Sequence, residues 1–354
     1  STRWGPAAGT AWCGTCRDAL NLARRAVDSK NSPMLCTSRM SRWLLMGRSS
    51  GRLRIRGLRV TLGIEGLVTG LCSSSCHSSA DIIDRMDGYR VGSFLAAGRR
   101  HSVGLRRDGT VLATGNGSAG ELRVEDWVDV VGLAAGNVHT FTNTGRSHTI
   151  GLLEDGTVRA TGWNGDGQCD VGAWGGMIGV AAGWRRTLAI RNNGTVMATG
   201  RRNEGACEVT HWREMVAVAC GDWHSVGLRA DGTALAVGIN RRGQCDIGEW
   251  ADLTAVAAGY LHTLGVTADG RVRAAGDTAT GACDVEGWHD VMAVAAGSYH
   301  SVGLTFSGQV LAAGDNRFGQ CDVDGWDDVV AVAAGSTHTL ALWADGTATA
   351  IGNN

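Results

Sequence analysis

Residues 333–347 read Ala-Ala-Gly-Ser-Thr-His-Thr-Leu-Ala-Leu-Trp-Ala-Asp-Gly-Thr, and this stretch decides the fold because it recurs. The tripeptide Ala-Ala-Gly, once Ala-Cys-Gly, ends at Gly98, Gly136, Gly183, Gly221, Gly259, Gly297 and Gly335. Its period is about 38 residues, the scale of repeat architectures, with one wider interval between Gly136 and Gly183. Trp127, Trp174, Trp212, Trp250, Trp288 and Trp326 keep the same step, and Tyr89 takes a seventh place.

Within one unit the residues read as short strands. Val329–Ala334 is an apolar run ending at Gly335, and His338–Leu342 carries Leu340 and Leu342 among smaller neighbours. Asp345-Gly346 signals a hairpin, read as a two-residue type I′ turn. Thr347–Ile351 is a third strand, and Gly319–Val323 (Gly-Gln-Cys-Asp-Val) shows where a short fourth strand is expected. Four short strands per unit, seven times over, define an all-β, seven-bladed β-propeller; a solenoid, with open ends needing caps, is the alternative. The chain reaches Asn354 after a third strand, while Ile83–Tyr89 aligns with Cys321–Trp326. The expected closure is therefore a strand near 83–89 completing the last blade. The expected organisation is a basic N-terminal extension over 1–80 and the propeller over 81–354.

Composition agrees. There are 54 glycines but only 2 prolines, with 44% hydrophobic residues, as expected for many short strands joined by tight turns. No apolar run reaches the ~18 residues of a membrane helix, and the start of the sequence lacks a charged segment followed by an apolar core and cleavage site. Residues 1–80 carry net charge +9, against −10 for the remainder. The Arg-rich segment is the only place where nucleic acid is an expected partner, yet no nucleic-acid motif accompanies the charge.

The motif at 333–347, and Gly-x-Asn-x-x-Gly-Gln at 314–320 with Asp315 beside Asn316, resemble the regulator of chromosome condensation repeat family. The resemblance covers about 270 residues. It implies a seven-bladed propeller, with short units more like bacterial members and the propeller-type β-lactamase inhibitory protein than the eukaryotic nuclear exchange factor. Cys after Gln departs from the family's usual Leu or Thr. The family includes an exchange factor, a plant photoreceptor, ubiquitin-ligase modules and enzyme inhibitors, most of which grip another protein. Fold alone does not choose among these.

Antiparallel strands put alternate connections on opposite faces. The Gly-x-x-His loops and the Gly-x-Asn-x-x-Gly loops share one face, and the Asp-Gly turns and Trp-bearing connections share the other. The Asp-Gly turns hardly vary between units, whereas the x-x pairs vary greatly: Arg99-Arg100, Asn137-Val138, Trp184-Arg185, Asp222-Trp223, Tyr260-Leu261, Ser298-Tyr299 and Ser336-Thr337. The second loop set adds Trp163, Arg241, Arg242, Arg317 and Phe318. Aromatic and arginine side chains around one mouth suit recognition. The bland alternative is that they pack on neighbouring blades. The candidate partner-binding set is Arg99, Arg100, Trp163, Trp184, Arg185, Asp222, Trp223, Tyr260, Leu261, Tyr299, Arg317 and Phe318. The second unit also has nine extra residues, either 137–145 or 141–149, because Gly136-Asn-Val-His-Thr and Gly145-Arg-Ser-His-Thr repeat the motif.

Other candidates read as structural. His101, His139 or His148, His224, His262, His300 and His338 recur at one position, with Arg186 in the third unit. Repetition argues for a hydrogen bond to the backbone rather than for a catalytic base, which must sit beside a nucleophile. Cys169, Cys207, Cys245, Cys283 and Cys321 are expected as buried free thiols, since equivalent positions on neighbouring blades lie too far apart to bridge. Asp170, Asp246, Asp284 and Asp322 read as turn hydrogen bonders. Trp-Cys-Gly-Thr-Cys at 12–16 is similar to a thioredoxin site but lacks a preceding strand; a zinc site with Cys72, Cys76 or His77 is a further weak alternative. Gly183-Trp-Arg-Arg-Thr resembles the photoreceptor motif, but the equivalent positions elsewhere are not tryptophan.

The expected function is a protein–protein interaction scaffold or regulator, a monomer without cofactor, metal or catalysis. The compartment expected is cytoplasmic, from the free thiols, with secretion open. The alternatives are guanine-nucleotide exchange on a small GTPase and carbohydrate binding, since exposed Trp and Tyr also stack on sugars.

Overall fold

The computed structural model describes residues 93–137 and 146–353. The N-terminal extension, the Cys-x-x-Cys pair and the expected closing strand near 83–89 lie outside these residues, as do Val138 and His139. Every described element is a strand, and the strands form seven antiparallel three-stranded sheets. The first blade is Leu95–Ala97, His101–Leu105 and Val111–Gly115. The second is Val130–Ala135, His148–Leu153 and Val158–Gly162, and the third Met177–Gly183, Arg186–Arg191 and Val196–Gly200. The fourth is Met215–Cys220, His224–Arg229 and Ala234–Gly238, and the fifth Leu253–Ala258, His262–Thr267 and Val272–Gly276. The sixth is Val291–Ala296, His300–Thr305 and Val310–Gly314, and the seventh Val329–Ala334, His338–Trp343 and Ala348–Gly352. In each, the first strand is innermost and touches the first strands of both neighbouring blades.

The expected fourth strand is not a strand. The Gly-Gln-Cys-Asp-Val run closes on itself in successive tight turns: Gly319 N donates to Asn316 O, Asp322 N to Gly319 O and Trp326 N to Val323 O. The Asn316 side chain clasps this run, its Oδ1 accepting from Cys321 N at 2.8 Å and its Nδ2 donating to Asp322 Oδ1 at 2.7 Å. Asn164 with Asp170 and Asn240 with Asp246 repeat the clasp. A side chain that satisfies the backbone locally competes with a sheet ladder, and here it wins. Asp170, Asp246 and Asp322 are thus turn bonders, as their pattern suggested.

The hairpin turn also differs from a type I′ turn. Trp343 N donates to Thr347 O and Gly346 N to Trp343 O, which makes a three-residue loop. Gly346 has φ 88° while Asp345 keeps negative φ, so the turn is type I followed by one left-handed glycine. The Asp345 carboxylate accepts from the Thr347 backbone and hydroxyl.

The tryptophans fill the space between blades. Trp212 is fully buried and lies on Gly227 of the middle strand, where an added Cβ would sit 2.6 Å from the indole. Gly151 under Trp127 and Gly303 under Trp288 repeat this contact. A small residue there lets a large ring lie flat on the sheet, and each ring joins the apolar core between adjacent blades.

Candidate functional site

The motif histidines form a belt joining every blade to the next. His101 Nε2 reaches Thr149 Oγ1 at 3.0 Å, His148 reaches Thr187 at 2.9 Å, and His224 reaches Thr263 at 2.8 Å. His262 meets Ser301 at 3.1 Å, His300 meets Thr339 at 3.0 Å, and His338 meets Ser102 at 3.3 Å. Arg186 takes the missing place, donating from Nε to Ser225 Oγ at 3.0 Å. The contact from His338 to Ser102 joins the seventh blade to the first, so the ring closes through side chains. The expected partner was the backbone. The imidazole instead bonds a hydroxyl, and that hydroxyl donates to a backbone carbonyl, as Thr187 Oγ1 does to Gln168 O at 2.7 Å. A hydroxyl has one proton and a carbonyl only accepts, so Nε2 must carry the hydrogen of a neutral ring. Burial holds these imidazoles far below their usual value, helped by neighbouring imidazole or Arg186 charge at several positions. His148, His224 and His300 fall to about 3, and His101, His262 and His338 to about 4.

His148 also locates the insertion. Gly136 N donates to His148 O at 2.9 Å, as Gly98 N does to His101 O, so the extra residues fall between Gly136 and His148. His148 is the motif histidine of that blade. The five motif cysteines are free thiols, as expected, but of the burial also expected for them only Cys207 shows it, the other four being half-buried; Sγ of Cys207 donates to Arg201 O at 3.1 Å, and desolvation raises Cys169 to about 12 and Cys321 to about 11.

The belt anchors the loops that leave the inner strands. Trp184, Asp222 and Arg99, each the first residue after its glycine, are buried; Arg185, Trp223, Tyr260, Leu261 and Tyr299 are half-buried. Many of the expected residues meet. The Arg185 guanidinium lies between Trp163 and Trp184, 4.6 Å from each ring centroid, and its Nη1 is 3.4 Å from Asp166 Oδ2. Trp184 and Trp223 pack edge to face at 4.4 Å. The Trp223 side chain hydrogen-bonds Tyr260, and Tyr260 packs on Tyr299 at 5.3 Å. The result is an unbroken arc of Trp163, Arg185, Trp184, Trp223, Tyr260 and Tyr299 over blades two to six. These aromatics pack across neighbouring blades, and most keep part of their surface in solvent. Desolvation, with nearby Tyr260 and Asp222, raises Tyr299 to about 12, so its phenol remains a donor.

Arg185 has φ 60°, the left-handed region that costs a side-chain-bearing residue about 1–2 kcal/mol. Each cation–π contact offsets about 0.5–2 kcal/mol. Phe318, 46% exposed, stands apart from the arc, as does exposed Arg100, whereas Arg317, held by Asp315 at 2.8 Å, lies near enough to Tyr299 for the two groups to interact electrostatically. Sequence reasoning missed Arg201, whose guanidinium lies 5.0 Å over Trp184, and Arg146, 5.8 Å over Trp163. Arg201 follows the third-strand glycine, the same register as Trp163, and that register was the available signal.

Seven radial sheets joined by a side-chain belt, with variable loops gathered at one mouth, define a β-propeller. Similarity places it further. The regulator of chromosome condensation repeat profile matches residues 93–121, 142–168, 215–244, 253–281 and 292–320. Among solved structures, the Crinkly WD40 ectodomain of the receptor kinase ACR4 from Arabidopsis thaliana is similar at 17% identity, covering 73% of this chain and 95% of that one, with TM-score 0.55. Prp20p from Saccharomyces cerevisiae is similar at 19% identity, 68% and 80% coverage and TM-score 0.53. Human WBSCR16 gives 15% identity, 72% and 88% coverage and TM-score 0.56. No curated protein sequence matches significantly. Five of the seven units thus carry the regulator of chromosome condensation repeat, on a propeller fold.

Proposed function

We propose that the protein is a non-catalytic interaction scaffold that holds a partner protein on the Gly-x-x-His face. The carrying observation is the aromatic–arginine arc, whose side chains are fixed by mutual packing and, Trp184 apart, remain half exposed. Rigid, partly exposed aromatics lose little entropy on binding and are the side chains that dominate interface energy. The strained backbone at Arg185 supports the same reading, since strain gathers where a side chain is positioned for contact. Prp20p, a neighbour in fold, has binding properties to Gsp1p and histones. At 19% identity that likeness lends a class of role, partner binding, and no particular partner.

The test is capture from native extract followed by mass spectrometry. Wild type is run beside the quadruple variant Trp184→Ala/Trp223→Ala/Tyr260→Ala/Tyr299→Ala, both shown to be folded by circular dichroism. A protein held by wild type and lost by the variant supports the arc. Equal capture by both refutes it.

A further inference from the structure

The residues that directly follow the Ala-Ala-Gly glycines stand at the ends of the inner strands, where the blades converge. Ser336 Oγ donates to Asn137 Oδ1 at 2.8 Å. Ser336 belongs to the seventh blade and Asn137 to the second. Their contact reaches across the whole first blade, which places both at the axial mouth. Arg99 is the corresponding residue of the first blade and Ser298 that of the sixth. Four successive blades therefore bring Ser298, Ser336, Arg99 and Asn137 to one side of the axis. They are 1%, 0%, 6% and 6% exposed, so water reaches them poorly.

Two of these groups are left unsatisfied. Arg99 Nε and Ser298 Oγ are buried without a hydrogen-bond partner. Arg99 takes part in none of the ion pairs among the described residues, unlike Arg185, Arg201, Arg242 and Arg317, each of which has its own carboxylate. Burial, together with the adjacent Arg100 charge, pulls Arg99 below the usual arginine range. A buried guanidinium with no counter-charge is costly, and one carboxylate brought to it supplies both the charge and the acceptors it lacks.

We propose that Arg99, with Ser298, Ser336 and Asn137 around it, is a carboxylate-binding site at the axial mouth, filled by an Asp or Glu side chain of the partner protein. This rests on the reading that the partner sits on this face. The aromatic arc supplies contact area over blades two to six, and Arg99 fixes one acidic side chain beside it. The partner's recognised segment is thus an acidic residue flanked by apolar ones.

The first arm needs no partner. Thermal unfolding of the full chain is followed in sodium acetate and in sodium chloride at equal ionic strength and pH. Acetate is expected to raise the wild-type midpoint along a single-site curve, by about 2–4 °C at roughly ten times its dissociation constant. Arg99→Met, which keeps the side-chain length without the charge, is expected to lose this response and to melt no lower than wild type in chloride. Acetate acting like chloride on wild type overturns the site. The second arm repeats the capture with Arg99→Met. Capture at least about tenfold weaker, with acetate competing against wild type, is the expected result. An acetate response with undiminished capture by Arg99→Met overturns the partner's carboxylate as occupant and leaves a free anion. Loss of the arc reading shows separately, as full capture by the quadruple aromatic variant, whatever the acetate arm gives.

Discussion

Lowering the pH from about 7.5 to 5 should unfold this propeller, well before its carboxylates titrate. Six belt imidazoles have an ordinary value of 6.5, and burial depresses them in the folded protein to between about 3 and about 4. Below 6.5 the unfolded chain takes up protons that the folded chain refuses. The belt's contribution is therefore complete above 6.5 and is lost as pH falls toward the folded values. One pH unit costs about 1.4 kcal/mol per histidine, so at pH 5 each costs about 2 kcal/mol and six cost about 12. A whole domain is stable by about 5–15 kcal/mol. The assay is thermal and urea unfolding between pH 8 and 5, followed by tryptophan fluorescence and circular dichroism. Stability should begin to fall near pH 6.5, with close to six protons taken up on unfolding. His300→Gln should remove about one of them. A midpoint that stays constant from pH 7.5 to 5, or an uptake below two protons, would refute the reasoning.

Three further variants probe the same ring. Gly221→Ala places a Cβ 2.2 Å from Gly259 O of the next blade and 2.7 Å from the His224 ring, so it should cost at least about 3 kcal/mol by urea unfolding. Arg186 donates to Ser225, to the carbonyls of Gly221 and Asp222, and to His224 O, so Arg186→Ala should cost about 3–5 kcal/mol. Arg186→His, which restores the motif residue, should recover part of that loss in the same measurement.

The seven-fold register was legible because the units state it twice, in the Ala-Ala-Gly glycine and in a tryptophan that only once gives way to tyrosine. Their causes were not legible. The glycine is required because, in most units, the unit's own imidazole, three residues on, and the next blade's carbonyl occupy the space of a side chain; the carbonyl belongs to another repeat, and the ring's inward fold is a tertiary contact that spacing does not state. The run Gly319–Val323 looked like a strand by composition, yet Asn316 captures its backbone, a competition that strand propensity does not register. In the candidate site, residues alternating between Trp, Tyr and Arg pointed to loops whose side chains the structure brings together. Sequence could not show that Trp184 and Asp222 turn inward while Trp223 and Tyr299 stay half exposed. Nor could it show that Arg201, at the same register as Trp163 one blade on, completes the cation–π stack.

The belt has a direction. In every blade one residue gives a hydrogen bond forward, and the residue after it receives one from behind. Each unit is at once a plug and a socket of a single gauge, and the third blade shows that the plug can be remade from arginine without altering the socket. Such a ring has no privileged first member. Tandem duplication of a unit would present the same plug and the same socket at its new junctions. The stability of the circle and the freedom to rearrange its parts thus have one origin, a junction chemistry that is the same all the way round.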